Sequence, residues 1–144
     1  NSEDLSSSFT EEERRILNRI INCEKGHEDS RIDELQSISP TSKSRIIEVI
    51  LNKYKSDEIE LRIISSLFVK CSEFQNDICD IIKSNTSTIF NLPYVPHLKR
   101  MYNANVGLMT VTLNYLEENK RIDKKNIKLI LESNSKIAFS VERK

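Results

Sequence analysis

Apolar residues recur at three- and four-residue steps through most of this chain, the spacing of amphipathic helices. The first such run opens at Thr10, whose hydroxyl can accept from a first-turn amide while Glu13 reaches back to the cap; Ile16, Leu17, Ile20 and Ile21 then form one stripe. The pattern predicts a helix over 11–23 that ends before Gly26. Ser30 with Asp33 is placed to cap a short helix carrying Ile32 and Leu35, which Pro40 prevents from continuing. Ile46, Ile47, Val49, Ile50 and Tyr54 share a face over 41–54, and Ile59, Ile63, Leu67 and Cys71 share an opposing one over 57–71, restarted by Ser56 and Asp57. These two segments predict an antiparallel helical hairpin. A further helix over 73–84 carries Phe74, Ile78, Ile81 and Ile82.

Beyond that point the pattern changes. From Ser84 to Leu116 only Lys99 and Arg100 are charged, although charged residues make up 31% of the chain, so the stretch reads as interior. Its first part, Ser84–Pro96, is rich in Ser, Thr and Asn and ends in Leu92, Pro93, Tyr94, Val95 and Pro96, a packed and irregular connection. A helix follows Pro96 and breaks or restarts around Asn103 to Asn105. Val106, Met109, Leu113 and Leu116 lie on one face of the next segment while Leu108, Val111 and Tyr115 occupy others; apolar nearly all round, it predicts a central buried helix near 105–117. The β-branched Val106, Thr110, Val111 and Thr112 keep a strand as the lesser alternative. Asp123 caps a last helix with Ile127, Ile130 and Leu131 inward up to about Ser133, and Ile137 to Val141 reads as a short strand or frayed tail.

The fold expected is therefore all-α: an irregular bundle, or a short α-solenoid, of about seven short helices around the apolar segment at 105–117. No repeat at the periods of helical arrays aligns, which favours the bundle. Residues 1–8 read as a disordered lead-in and 9–144 as one helical domain, with termini resembling those of a domain excised from a longer protein. In length and in having one apolar helix at 105–117, the chain resembles the Bcl-2-like fold, including its diverged viral members. The Asn-Trp-Gly-Arg signature of that family is absent and the chain has no Trp, so the resemblance supplies no site residues.

Composition narrows the chemistry. Cys23, Cys71 and Cys79 are an odd number without paired spacing, which fits buried thiols in a reducing compartment. There is no run of about 18 apolar residues and no signal-peptide pattern, so a soluble protein, cytoplasmic or nuclear, without membrane association is expected. Cys23 and His27 stand as C-x3-H, but structural zinc sites come as tight pairs, and the other cysteines fall on apolar faces; no metal is expected. Gly26 and Gly107, the only glycines, cannot form a phosphate-cradling loop. His27 reads as a solvated loop residue and His97 as a packing one, which leaves no base, nucleophile or cofactor site. Neither an enzyme nor a small-molecule substrate is expected.

The zero net charge conceals a division: residues 1–90 carry 17 acids and 12 bases, residues 91–144 carry 5 and 10. Two functions follow. The first is a non-enzymatic adaptor or scaffold domain in a larger intracellular assembly, holding a helix or peptide of another protein chain in a groove. Its candidate contacts are Tyr94, His97, Leu98, Lys99, Arg100 and Tyr102, with the Ser84–Pro96 connection as an anchor patch if partly exposed. The second is a nucleic-acid-binding domain using Lys120, Arg121, Lys124, Lys125 and Lys128, residues that an acidic partner could equally contact.

Overall fold

A computed structural model describes residues 8–132. The expected lead-in, save Ser8, and the Ile137–Val141 segment lie outside the described residues. The fold is all-α, and the chain divides into two compact units, one running to Phe74 and the other beginning at Gln75.

In the first unit, α1 (Glu11–Ile21) starts as its sequence dictates: Glu13 N–H donates to Thr10 Oγ1 at 3.1 Å and Thr10 N–H to Glu13 Oε1 at 2.8 Å. Helix α2 (Glu28–Asp33) begins earlier than expected, with His27 rather than Ser30 at the cap position and no side-chain capping bond, and it tightens into a 3-10 turn over Glu34–Ser37. Ser39 caps α3 (Pro40–Lys55), where proline occupies the first position because its missing N–H would be unpaired there anyway.

The hairpin partner, α4 (Leu61–Lys70), starts four residues later than the Asp57 restart. Asp57 instead ends α3 in the left-handed region (φ 62°), its N–H bonding Tyr54 O while Glu58 N–H bonds Lys53 O. That double bond satisfies the last carbonyls of α3. Helix α4 buries Leu61 and every residue from Ile63 to Phe68, and it packs on α2 and α3. Its two interior serines are satisfied locally, Ser65 by Arg62 O and Ser66 by the Asp29 carboxylate.

The second unit contains α5 (Gln75–Ser84), a 3-10 turn (Leu92–Tyr94), α6 (Val95–Ala104), α7 (Val106–Glu118) and a helix α8 over 124–132. Asn105 divides α6 from α7, its side chain accepting from Leu108 N–H at 3.1 Å. The threonines that kept strand open instead bond backward along the helix, Thr110 to Val106 O and Thr112 to Leu108 O.

Helix α7 is not enclosed on all sides. Met109, Thr112, Leu113 and Leu116 are buried, whereas Val111 is 61% exposed and Val106 and Tyr115 are also open to solvent. The apolar helix buried nearly all round is α4, which the charge count overlooked because Arg62 and Lys70 stand near its ends. Among the described residues no helix is long and apolar enough to cross a membrane.

Candidate functional site

The expected partner cluster is divided by α6. Leu98 and Tyr102 face the interior and are buried with Val95 and Met101, so neither is available to a partner, which corrects both assignments. The helical period dictates this: 95, 98, 101 and 102 share one stripe. Tyr94, His97, Lys99 and Arg100 are half-buried, and Tyr94 packs edge-on against Phe90 with ring centroids 5.5 Å apart.

Arg121 is a second correction. Expected among the surface cations, it is 4% exposed and its guanidinium donates to three carbonyls: Ile82 O at 2.6 Å, Lys83 O at 2.9 Å and Thr88 O at 3.1 Å. Ile82 and Lys83 belong to the last turn of α5, where carbonyls lack intrahelical donors and the helix dipole is negative, so a buried cation is favoured there. The guanidinium also lies 5.4 Å from the centroid of the Phe90 ring.

The turn after α7 delivers Arg121 to this position. Lys120 takes the left-handed conformation (φ 60°), its N–H bonding Glu117 O while Arg121 N–H bonds Leu116 O at 2.8 Å. This helix-ending motif turns the second residue past the cap inward. Phe90 N–H then donates to Arg121 O, and Phe90 pairs with Ile122 in an isolated parallel bridge. Asp123 caps α8 as its sequence predicts, accepting from Asn126 N–H at 2.8 Å.

Between the 89–91 segment and the 117–126 turn lies an open cleft of about 430 Å³. Its lining includes the exposed Ile89, the buried Phe90 and Ile122, the acids Glu117 and Asp123, and the cations Lys120 and Lys124. Lys120, Lys124, Lys125 and Lys128 are all exposed, and among the described residues none of the four makes an ion pair. The cleft brings Lys120 and Lys124 together with Ile89, Phe90, Asn91 and Asn126, which the sequence reading did not single out. The signal lay in the uncharged connection, whose β-prone Thr88-Ile89-Phe90 follows a helix end at Ser84.

The first unit carries no exposed large apolar side chain among its described residues; Ile89 (56%), Leu92 (63%), Val106, Val111, Tyr115 and Leu131 all belong to the second. Several charged groups of the first unit are engaged with each other. Arg62 donates to Glu28 Oε2 at 2.5 Å, to Glu60 Oε1 at 3.1 Å and to Cys23 O at 2.8 Å, fastening the 23–28 loop to α4. Burial alone would raise the Glu28 carboxyl, but hydrogen bonds from Arg62 and from Gly26 N–H outweigh it and hold the group below the ordinary carboxylate range. Hydrogen bonds from Ser42 and the Thr10 amide hold Glu13 low as well.

Cys71 and Cys79 are buried thiols, and burial pushes both above the ordinary thiol value. His27, the partner in the C-x3-H spacing, is exposed, whereas Cys23 is buried with an Arg62 nitrogen 3.6 Å from its sulfur, an unfavourable setting for a cation. Among the described residues no group of three or more His, Cys, Asp or Glu is placed to hold a metal ion. No family model, curated protein or solved structure matches the chain. The resemblance to Bcl-2-like bundles rested on α7 as an enclosed central helix, and the open outer face of α7 removes that basis.

Proposed function

We propose that the chain is a non-enzymatic protein–protein interaction domain, an adaptor or scaffold element in an intracellular assembly, and that its second unit makes the contacts. The observation that supports this reading is the segregation of the exposed large apolar side chains of the described residues into the second unit, five of the six within the 84–116 stretch where only Lys99 and Arg100 are charged. An apolar surface without charge costs little to desolvate, and exposed apolar groups gathered in one region mark association sites.

Pull-down of the tagged chain from its own cell extract, with and without nuclease, tests the reading. It expects specific protein capture that survives nuclease and is lost in a Val111→Asp/Tyr115→Ser variant whose urea midpoint is unchanged. Capture that vanishes with nuclease refutes it.

Lys120, Lys124, Lys125 and Lys128, exposed and without an ion pair among the described residues, support a second reading, nucleic-acid binding. With Arg121 inside the fold, four cations on and beside α8 are left to meet phosphates there, so the log–log salt slope of oligonucleotide binding at this surface is no steeper than about −2.8 for a single strand or about −3.6 for a duplex. Affinity near or weaker than about 10⁻⁴ M at physiological salt is expected of such an incidental patch. Sub-micromolar, salt-steep binding of a generic oligonucleotide by the native chain would put this second reading first.

A further inference from the structure

Resting on the interaction reading above, we propose that the cleft between the 89–91 segment and the 117–126 turn binds an extended segment of another protein in which apolar side chains alternate with carboxylates. Three features of the cleft converge on that chemistry. Its floor is apolar, since Phe90 and Ile122 line it while almost wholly withdrawn from solvent, and Ile89 adds an exposed apolar rim. Its charged lining is positive on balance: Lys120, Lys124 and the buried Arg121 stand against Glu117 and Asp123, and Lys125 and Lys128 are exposed on the same helix as Lys124. Among the described residues neither Lys120 nor Lys124 makes an ion pair. Ligand carboxylates therefore meet two lysines that no acid among the described residues pairs with.

The third feature selects an extended chain over a helix. Among the described residues, Ile89 N–H, Ile89 C=O and Asn91 N–H take no hydrogen bond, although Phe90 between them is bonded through its own N–H to Arg121 O. Such an edge invites main-chain pairing. A docked helix has spent its own main-chain groups internally, whereas an extended segment brings a matching row and places every second side chain on one face. The same site is poorly equipped for nucleic acid: the Phe90 ring is buried between Arg121 and Tyr94, which leaves no open aromatic face there on which a base could stack.

The test titrates the full chain with a short capped synthetic peptide alternating glutamate with isoleucine, followed by amide chemical shifts and by fluorescence anisotropy. Comparators are the same peptide with lysine in place of glutamate, an oligoglutamate of equal length, and a single-stranded oligodeoxynucleotide. The glutamate–isoleucine peptide should shift the Ile89 and Asn91 amides saturably and more strongly than any comparator. Lys120→Glu/Lys124→Glu, and separately Ile89→Asp, should each weaken it by about tenfold or more with the urea midpoint unchanged. Absence of saturable shifts at Ile89 and Asn91, equal binding of oligoglutamate or of the lysine peptide, or tighter binding of the oligonucleotide would overturn the proposal. The Lys120→Glu/Lys124→Glu variant also separates this proposal from the reading beneath it. If that variant still captures protein from nuclease-treated extract at the native level, the interaction domain stands and the cleft is not its site; if the native chain captures none, the interaction reading itself fails.

Discussion

Replacing Arg121 with methionine removes the only charged donor described for the carbonyls of Ile82, Lys83 and Thr88 while keeping most of the side-chain volume. A hydrogen bond from a charged donor contributes about 1.5–3 kcal/mol, and three from one guanidinium are not additive. Two effects offset the loss: the variant no longer desolvates a cation, and Thr88, half-exposed, can recruit water. The Ile82 bond is fully buried and has no such recourse. A net loss of about 1–3 kcal/mol follows, the range for leaving a buried acceptor without its donor. Arg121→Lys should recover only part of it, because one ammonium cannot reproduce the fork that spans three carbonyls. Urea unfolding followed by circular dichroism at neutral pH measures the series, with Lys124→Ala as a surface control expected within about 0.5 kcal/mol of the native protein. If Arg121→Met unfolded at the same midpoint as Lys124→Ala, Arg121 would be a surface cation after all and the account of the 116–122 turn would be wrong.

Leu113→Ala should destabilise by about 2–5 kcal/mol because Leu113 is 1% exposed, whereas Val111→Ala on the same helix should change stability by no more than about 0.5 kcal/mol; equal urea midpoints for the two would contradict the one-sided burial of α7. Glu28 is held below its ordinary value of 4.5, so its stabilising contribution is complete above that value and is lost as pH falls through it toward the lower folded-state value. Between pH 7 and about pH 3.5 the urea midpoint of Glu28→Gln should therefore fall less than that of the native protein, and an equal fall would show that the Glu28–Arg62 contact contributes nothing to acid sensitivity.

Local rules read from sequence proved strongest where one residue decides the geometry. The Thr10–Glu13 capping box, the Asn105 break and the Asp123 cap each depend on groups three residues apart, and the structure has each where its residues put it. Burial was harder to read, because it depends on what packs against a segment. Absence of charge was taken as burial, yet the uncharged stretch contains Ile89, Leu92 and Val111, all mostly exposed. Conversely, charge does not guarantee exposure: Arg121, expected at a surface contact, is buried on helix-terminal carbonyls, and Glu13, in the capping box its sequence predicts, is buried beside Arg45. A cation two residues beyond a helix cap, at the point where a left-handed residue turns the chain inward, is the sequence context that could have marked Arg121.

The misread arginine and the misread desert bear on function together. Lys120 and Arg121 are neighbours of the same charge, yet one lines an open cleft and the other closes the end of α5, and the backbone turn between them separates a surface role from an internal one. Because Arg121 fixes Phe90 through its own carbonyl and flanks that ring with its side chain, it also holds the 89–91 segment at the cleft. A variant reversing all the basic residues from 120 to 125 would then lose binding by collapsing the cleft floor, whichever ligand was offered. Substitutions that spare Arg121 are the ones whose effects can be assigned to contact, and for the cleft these are changes at Ile89, Lys120 and Lys124, not on the α6 face where Leu98 and Tyr102 are already packed.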